Sequence, residues 1–112
     1  METKSVIVNA KLNNGNFPKV LSEMKKLPEG MGMQFLGARG FSNNGAVNHT
    51  VFFNKNGVSN LPSRNPVSKI GLIYGPKTDV LKMTLEHSDQ IDAQAVLGKA
   101  KAIITKYGEL LD

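Results

Sequence analysis

The sequence predicts an α+β domain, a mainly antiparallel sheet of about five strands in the order β-α-β-β-β-β-α with two helices packed on one face. Three observations lead there. The apolar spacing switches between a period of two and a helical period, clusters of Asn, Gly and Pro separate the periodic stretches, and there is no Cys to staple a loop-rich scaffold.

Residues 5 to 12 place Val6, Val8, Ala10 and Leu12 on one side and Ser5, Asn9 and Lys11 on the other, with Ile7 the exception. That pattern is a half-buried strand. Asn13-Asn14-Gly15 breaks it, and Asn16 is placed to cap a helix in which Pro18 falls in the first turn, where no intrahelical amide donor is needed. Phe17, Val20, Leu21, Met24 and Leu27 have helical spacing and leave Lys19, Lys25 and Lys26 outside; Pro28-Glu29-Gly30 ends the helix. From Met31 the period is two, with Met31, Met33, Phe35 and Phe41 sharing a parity and Arg39 among them. Asn43-Asn44-Gly45 is a hairpin turn, after which Val47, His49, Val51 and Phe53 run back. Asn54-Lys55-Asn56-Gly57 turns again and opens an aperiodic loop of about ten residues, a length that often carries function. Ile70, Leu72 and Tyr74, then Gly75-Pro76, then Leu81, Met83 and Leu85 read as a second hairpin. Ser88 or Asp89 starts the last helix, whose apolar face is Ala93, Val96, Leu97, Ala100, Ile103, Ile104 and Tyr107, opposite Lys99, Lys101 and Lys106.

A chain of 112 residues with 40% hydrophobic content is expected to form one domain, residues 1–112, with a real core. Absence of Cys excludes thiolate metal sites, iron–sulfur ligation and a cysteine nucleophile. Near the amino terminus the only apolar run is Val6-Ile7-Val8, far short of a secretion signal or a membrane span, so a cytoplasmic, non-membrane protein is expected. Asn48-His49-Thr50 matches a glycosylation sequon, a pattern short enough to recur by chance.

No motif supplies catalysis. His49 and His87 have no metal-ligand spacing, and around Glu86, His87 and Asp89 the spacing suggests no paired nucleophile or acid pair for catalysis, which leaves solubility and capping as their role. Gly30-Met31-Gly32 begins a dinucleotide fingerprint, but Phe35 stands where the third glycine belongs, and Gly37-Ala38-Arg39-Gly40 lacks the Lys-Ser/Thr pair of a phosphate-binding loop. The expectation is a non-enzymatic protein with no catalytic residues, no metal and no cofactor.

Charge is distributed unevenly. The net charge is +5, and residues 30–78 contain Arg39, Lys55, Arg64, Lys69 and Lys77 without a single Asp or Glu. The same stretch holds Phe35, Phe41, Phe52, Phe53 and Tyr74 and many turn asparagines. Cations without competing carboxylates attract phosphate, and aromatic faces stack on bases. Strand parity assigns Phe35 and Phe53 to the core, leaving Phe41, Phe52 and Tyr74 as the stacking candidates and the five cations as the phosphate contacts. The resulting expectation is a protein that binds single-stranded nucleic acid, with the loop from Lys55 to Lys69 closing over the backbone. With five cations engaged, log affinity would fall with log salt at a slope of about −3.5. The alternative is a small accessory or inhibitor protein, of the kind phages encode, that docks an acidic protein partner, or a structural subunit of an assembly; sheet edges also permit a homo-oligomer.

Overall fold

The alternation in the first strand, β1 (Lys4–Leu12), is realised: Val8, Ala10 and Leu12 are buried, while Ser5, Ile7, Asn9 and Lys11 point away from them. The helix α1 (Phe17–Gly30) follows, its first turn accommodating Pro18. Asn16 occupies the cap position through its backbone, its carbonyl accepting from the amides of Lys19 and Val20, and its side chain makes no capping bond. Phe17, Val20, Met24 and Leu27 form the buried face, and Pro28 falls in the last turn. The structure, a computed structural model, describes residues 4–13, 15–43, 45–55, 68–87 and 92–111. Arg64, residues 56–67 in which the loop is expected, the side chain of Lys55, and the expected helix start at Ser88 or Asp89 lie outside what the structure describes.

Strands β2 (Met33–Asn43) and β3 (Ala46–Lys55) form the first hairpin, and β4 (Ser68–Gly75) and β5 (Val80–His87) the second. The helix α2 (Ala93–Tyr107) is capped by Asp92, whose carboxylate accepts from the Ala95 amide at 3.1 Å. All strand pairings are antiparallel, in the order β2-β3-β4-β5-β1-β6, so β1 lies between the second hairpin and a last strand, β6 (Gly108–Leu111). The expected β-α-β-β-β-β-α order is realised, with the sixth strand added after its last helix. Four residues that follow directly on the helix offer too little alternation to be seen beforehand. Gly108 is what lets β6 in: a Cβ there would lie 2.3 Å from the Lys11 carbonyl oxygen and 2.7 Å from Leu12 Cα.

Both helices pack on one face of the sheet. Beneath them lie Val8, Ala10 and Leu12 of β1, Val51 and Phe53 of β3, Ile70, Leu72 and Tyr74 of β4, and Leu81, Met83 and Leu85 of β5, closed by Val20, Met24, Val96, Ala100 and Ile104 from the helices. Burying a side chain of this size contributes about 1.5–3 kcal/mol, which makes this layer the main source of stability.

One expectation about β2 is overturned. Phe35 pairs with Phe53 and Gly37 pairs with Phe52, so Leu36 is an extra residue, a β-bulge. Gly37 takes φ +146, a conformation that favours glycine. An extra residue reverses the parity downstream. Met33 and Phe35 remain with the core, whereas Arg39 and Phe41, expected on the same side as them, emerge on the opposite face.

Candidate functional site

Because both helices cover the same side, the second face of the sheet has no protein layer over it among the described residues. Strand registers lay its side chains out in rows. Gly37, Phe52, Lys69, Glu86 and Ser5 are successive cross-strand neighbours. The next row is Arg39, Thr50, Gly71, Thr84 and Ile7, and the third is Phe41, Asn48, Ile73, Lys82 and Asn9. Lys11 lies one row further, opposite Glu109 of β6.

The middle row is low. Thr50, Gly71 and Thr84 are small and adjacent, so they make a trough across three strands between the bulkier rows. A depression of about 270 Å³ is lined by Thr50, Phe52, Lys69, Gly71, Thr84 and Glu86. On the other side of Phe52 and Lys69, an open groove of about 610 Å³ is lined by Leu36, Gly37, Ala38 and Arg39 beside the bulge. Phe52 and Lys69 thus form a ridge between two hollows. Nothing in Gly71 itself demands glycine: a Cβ would meet only the Thr84 carbonyl oxygen, at 3.8 Å.

Phe41 is 62% exposed, an unusual position for a phenyl ring. Phe52 is half-buried, and the Lys69 ammonium lies over its ring, 5.9 Å from the centroid. Lys69 also faces Glu86 at 3.9 Å, with both side chains nearly half exposed. An ion pair so open to water contributes little, at most about 1 kcal/mol.

The expected site residues are therefore divided. Arg39, Phe41, Phe52 and Lys69 come together on the open face. Lys77 lies apart, in the turn between β4 and β5. Tyr74, expected to stack on bases, is excluded from that face: it is buried beneath α1, stacked on Phe17 with centroids 4.6 Å apart and planes within 2°. Its hydroxyl donates to the Asp79 carboxylate, which together with burial pushes its pKa up to about 12. Two cations not proposed from the sequence, Lys11 and Lys82, share the open face. Parity could have found them, since each alternates with core residues of its own strand.

The opposite side of the molecule bears its own charge. Lys19, Lys25, Lys26, Lys99, Lys101 and Lys106 stand on the helices with Glu23, Glu29 and Asp92, so cationic charge alone does not single out the open face. Between the helices, Lys106 donates to Glu23 at 3.0 Å. Hydrogen bonding from the Tyr107 hydroxyl and then from Lys106 holds the Glu23 carboxyl below its usual range, and the Glu23 partner raises both Lys106 and Tyr107.

Neither histidine belongs to the open face. His49 lies on the helix side, its ring 5.8 Å from Phe17, and desolvation followed by the nearby Lys25 charge lowers its pKa. Its imidazole covers Gly40 so closely that a Cβ there would come within 2.3 Å. His87 is buried at the end of β5, and the described residues contain no cluster of three or more His, Asp or Glu able to hold a metal. None of the described helices is long and apolar enough to cross a membrane. Comparison of the chain with protein-family models, with curated proteins and with solved structures returns no match.

Proposed function

We propose that the chain is a non-enzymatic binding protein that takes single-stranded nucleic acid across the open face of its sheet. The observation that carries this reading is the coincidence on one uncovered face of two accessible phenyl rings, Phe41 and Phe52, with four cations, Arg39, Lys69, Lys82 and Lys11, around a trough of small residues. Single strands expose their bases, which stack on aromatic rings at about 1–3 kcal/mol each, while the backbone takes the cations. A duplex hides its bases and gains only the charge. Thr50, Thr84, Asn48 and Asn9 add hydrogen-bonding groups within the same rows.

The test is a titration with single- and double-stranded oligonucleotides over a range of salt. Four cations engaging a single strand give a slope of log affinity against log salt of about −2.8, shallower than the value for the five cations chosen from sequence. Gly71→Leu fills the trough from a position where a Cβ meets only the Thr84 carbonyl oxygen, at 3.8 Å, so it is expected to keep the fold and to weaken binding at least about tenfold. A salt-independent affinity, or wild-type binding by G71L, would sink the proposal.

A second reading draws on Ile7, Ile73, Val80 and Leu111, all exposed on the same face toward β5, β1 and β6. Such a patch suits an acidic protein partner with an apolar centre, or a second copy of the chain. In that case oligonucleotides do not bind at low salt, and charge reversal at Lys69 slows association with the partner more than it shortens the life of the complex.

A further inference from the structure

Glu86 is out of place on a surface that collects phosphate. It is the one carboxylate in the central rows of the open face, flanked across the strands by Lys69 and Ser5 and bordering the trough with Thr50 and Thr84. Its ion pair with Lys69, at 3.9 Å and about half exposed, is too weak to account for its presence, and toward an incoming backbone it is repulsive. A carboxylate has a use there if it meets a hydrogen-bond donor, and on a nucleic acid the donors are the amino and imino groups of the bases.

Resting on the single-strand reading above, we infer that Glu86 is a specificity-determining residue: its carboxylate accepts a hydrogen bond from the exocyclic amine of a base stacked on Phe52, selecting cytosine over thymine or uracil. The geometry allows this. Phe52 and Glu86 stand in one row with only Lys69 between them, two strand spacings or about 9.5 Å apart, a distance that a pyrimidine on the ring and an extended Glu side chain cover together. Cytosine turns an N4 amine toward such an acceptor, whereas thymine and uracil present an O4 carbonyl at the same place, which a carboxylate repels.

Lys69 makes the two states exclusive. In the free protein its ammonium lies over the Phe52 ring and beside Glu86. A base that stacks on Phe52 takes the place of that ammonium, which moves to the phosphate of the same nucleotide on the groove side, where Arg39 already stands. Glu86 is thereby released from its cation at the moment a donor arrives. The two hollows flanking the ridge then divide the nucleotide, with phosphate in the groove of Arg39 and Lys69 and the base edge in the trough of Thr50, Thr84 and Glu86.

The experiment compares oligodeoxycytidine with oligothymidine of equal length, about eight nucleotides, at neutral pH and one salt concentration, for the wild type and Glu86→Gln. Equal ring size keeps stacking comparable, so the ratio of the two affinities isolates the amine. Wild type is expected to prefer cytidine by about tenfold, equivalent to about 1.4 kcal/mol. In E86Q, whose amide both donates and accepts, the ratio is expected to fall to within about twofold while both affinities rise through loss of a negative charge. Equal affinity of the wild type for the two oligomers, or an unchanged ratio in E86Q with both curves shifted together, overturns the inference and leaves single-strand binding standing. If neither oligomer binds at low salt, the inference and the reading beneath it fall together.

Discussion

The Tyr74 hydroxyl, under α1, bonds to a carboxylate on Asp79, a residue that itself adopts φ 59 in the turn after β4. A single side chain thus joins the core to the second hairpin's turn. Tyr74→Phe keeps the stack on Phe17 but leaves Asp79 without its donor, and is expected to lower stability by about 1–2 kcal/mol near neutral pH. The effect depends on pH in a definite direction. Folding raises the tyrosine pKa from 10 to about 12, so the native state holds a proton that the unfolded chain releases. The contribution is complete below pH 10 and is lost as pH rises from 10 through about 12. Denaturant midpoints of wild type and Y74F should therefore converge over that window; midpoints that stay equally separated would show that the hydroxyl does not carry the effect. Tyr74 also shows what residue-level reading missed. It shares parity with Ile70 and Leu72 and is buried with them, a place that its strand spacing fits better than the stacking role expected of it.

At the scale of elements, the bulge at Leu36 and the strand β6 are the two features that reposition the site. Each follows from a local backbone event. The bulge turns Arg39 and Phe41 out of the core side, and its only signal in the sequence is the glycine at position 37, one of two in that strand. Strand β6 covers the edge of β1, held where the Asn13 amide donates to the Tyr107 carbonyl at 2.8 Å and Gly108 passes against Lys11. Gly108→Ala brings a methyl into the β1 backbone, where neither atom can yield as a flexible side chain would, at a cost of about 1–3 kcal/mol. The expected result is faster amide exchange along residues 108–111 and a lower melting temperature, with the core strands still protected. Wild-type exchange rates in that variant would mean that β6 does not depend on the close approach. Helix faces, by contrast, were legible throughout: Val96, Ala100 and Ile104 are buried as their spacing requires, because a 3.6-residue period admits few other arrangements.

Across the whole molecule, the charge pattern has to be read on surfaces and not along the chain. The acid-free stretch spreads over the open face, a turn and residues outside the described structure, while Lys11 and Lys82 join the open face from strands outside that stretch. This separates cations that look alike in sequence. Lys82→Gln should make the salt slope for single-stranded oligonucleotides shallower by about 0.7, whereas Lys77→Gln in the β4–β5 turn should leave it unchanged. The reverse result would move the nucleic-acid contact from the face to the turn and take the stacking roles of Phe41 and Phe52 with it. Topology explains why β1 contributes at all: the chain leaves it, crosses as α1 to the far edge, builds four strands, and returns to pair β5 with β1.

The sequence by itself determined the α+β class, both helices with their buried faces, two hairpins and most of the core, since those depend on periodicity and turn chemistry within a few residues. Only the tertiary structure decided which side of the sheet stays open and which cations meet there. It also placed Phe52 in one row with Glu86, across Lys69, and Tyr74 beneath a helix. The reason is physical: one inserted residue reverses a strand's facing, and cross-strand neighbours depend on register between segments far apart in the chain, neither of which a local pattern can encode.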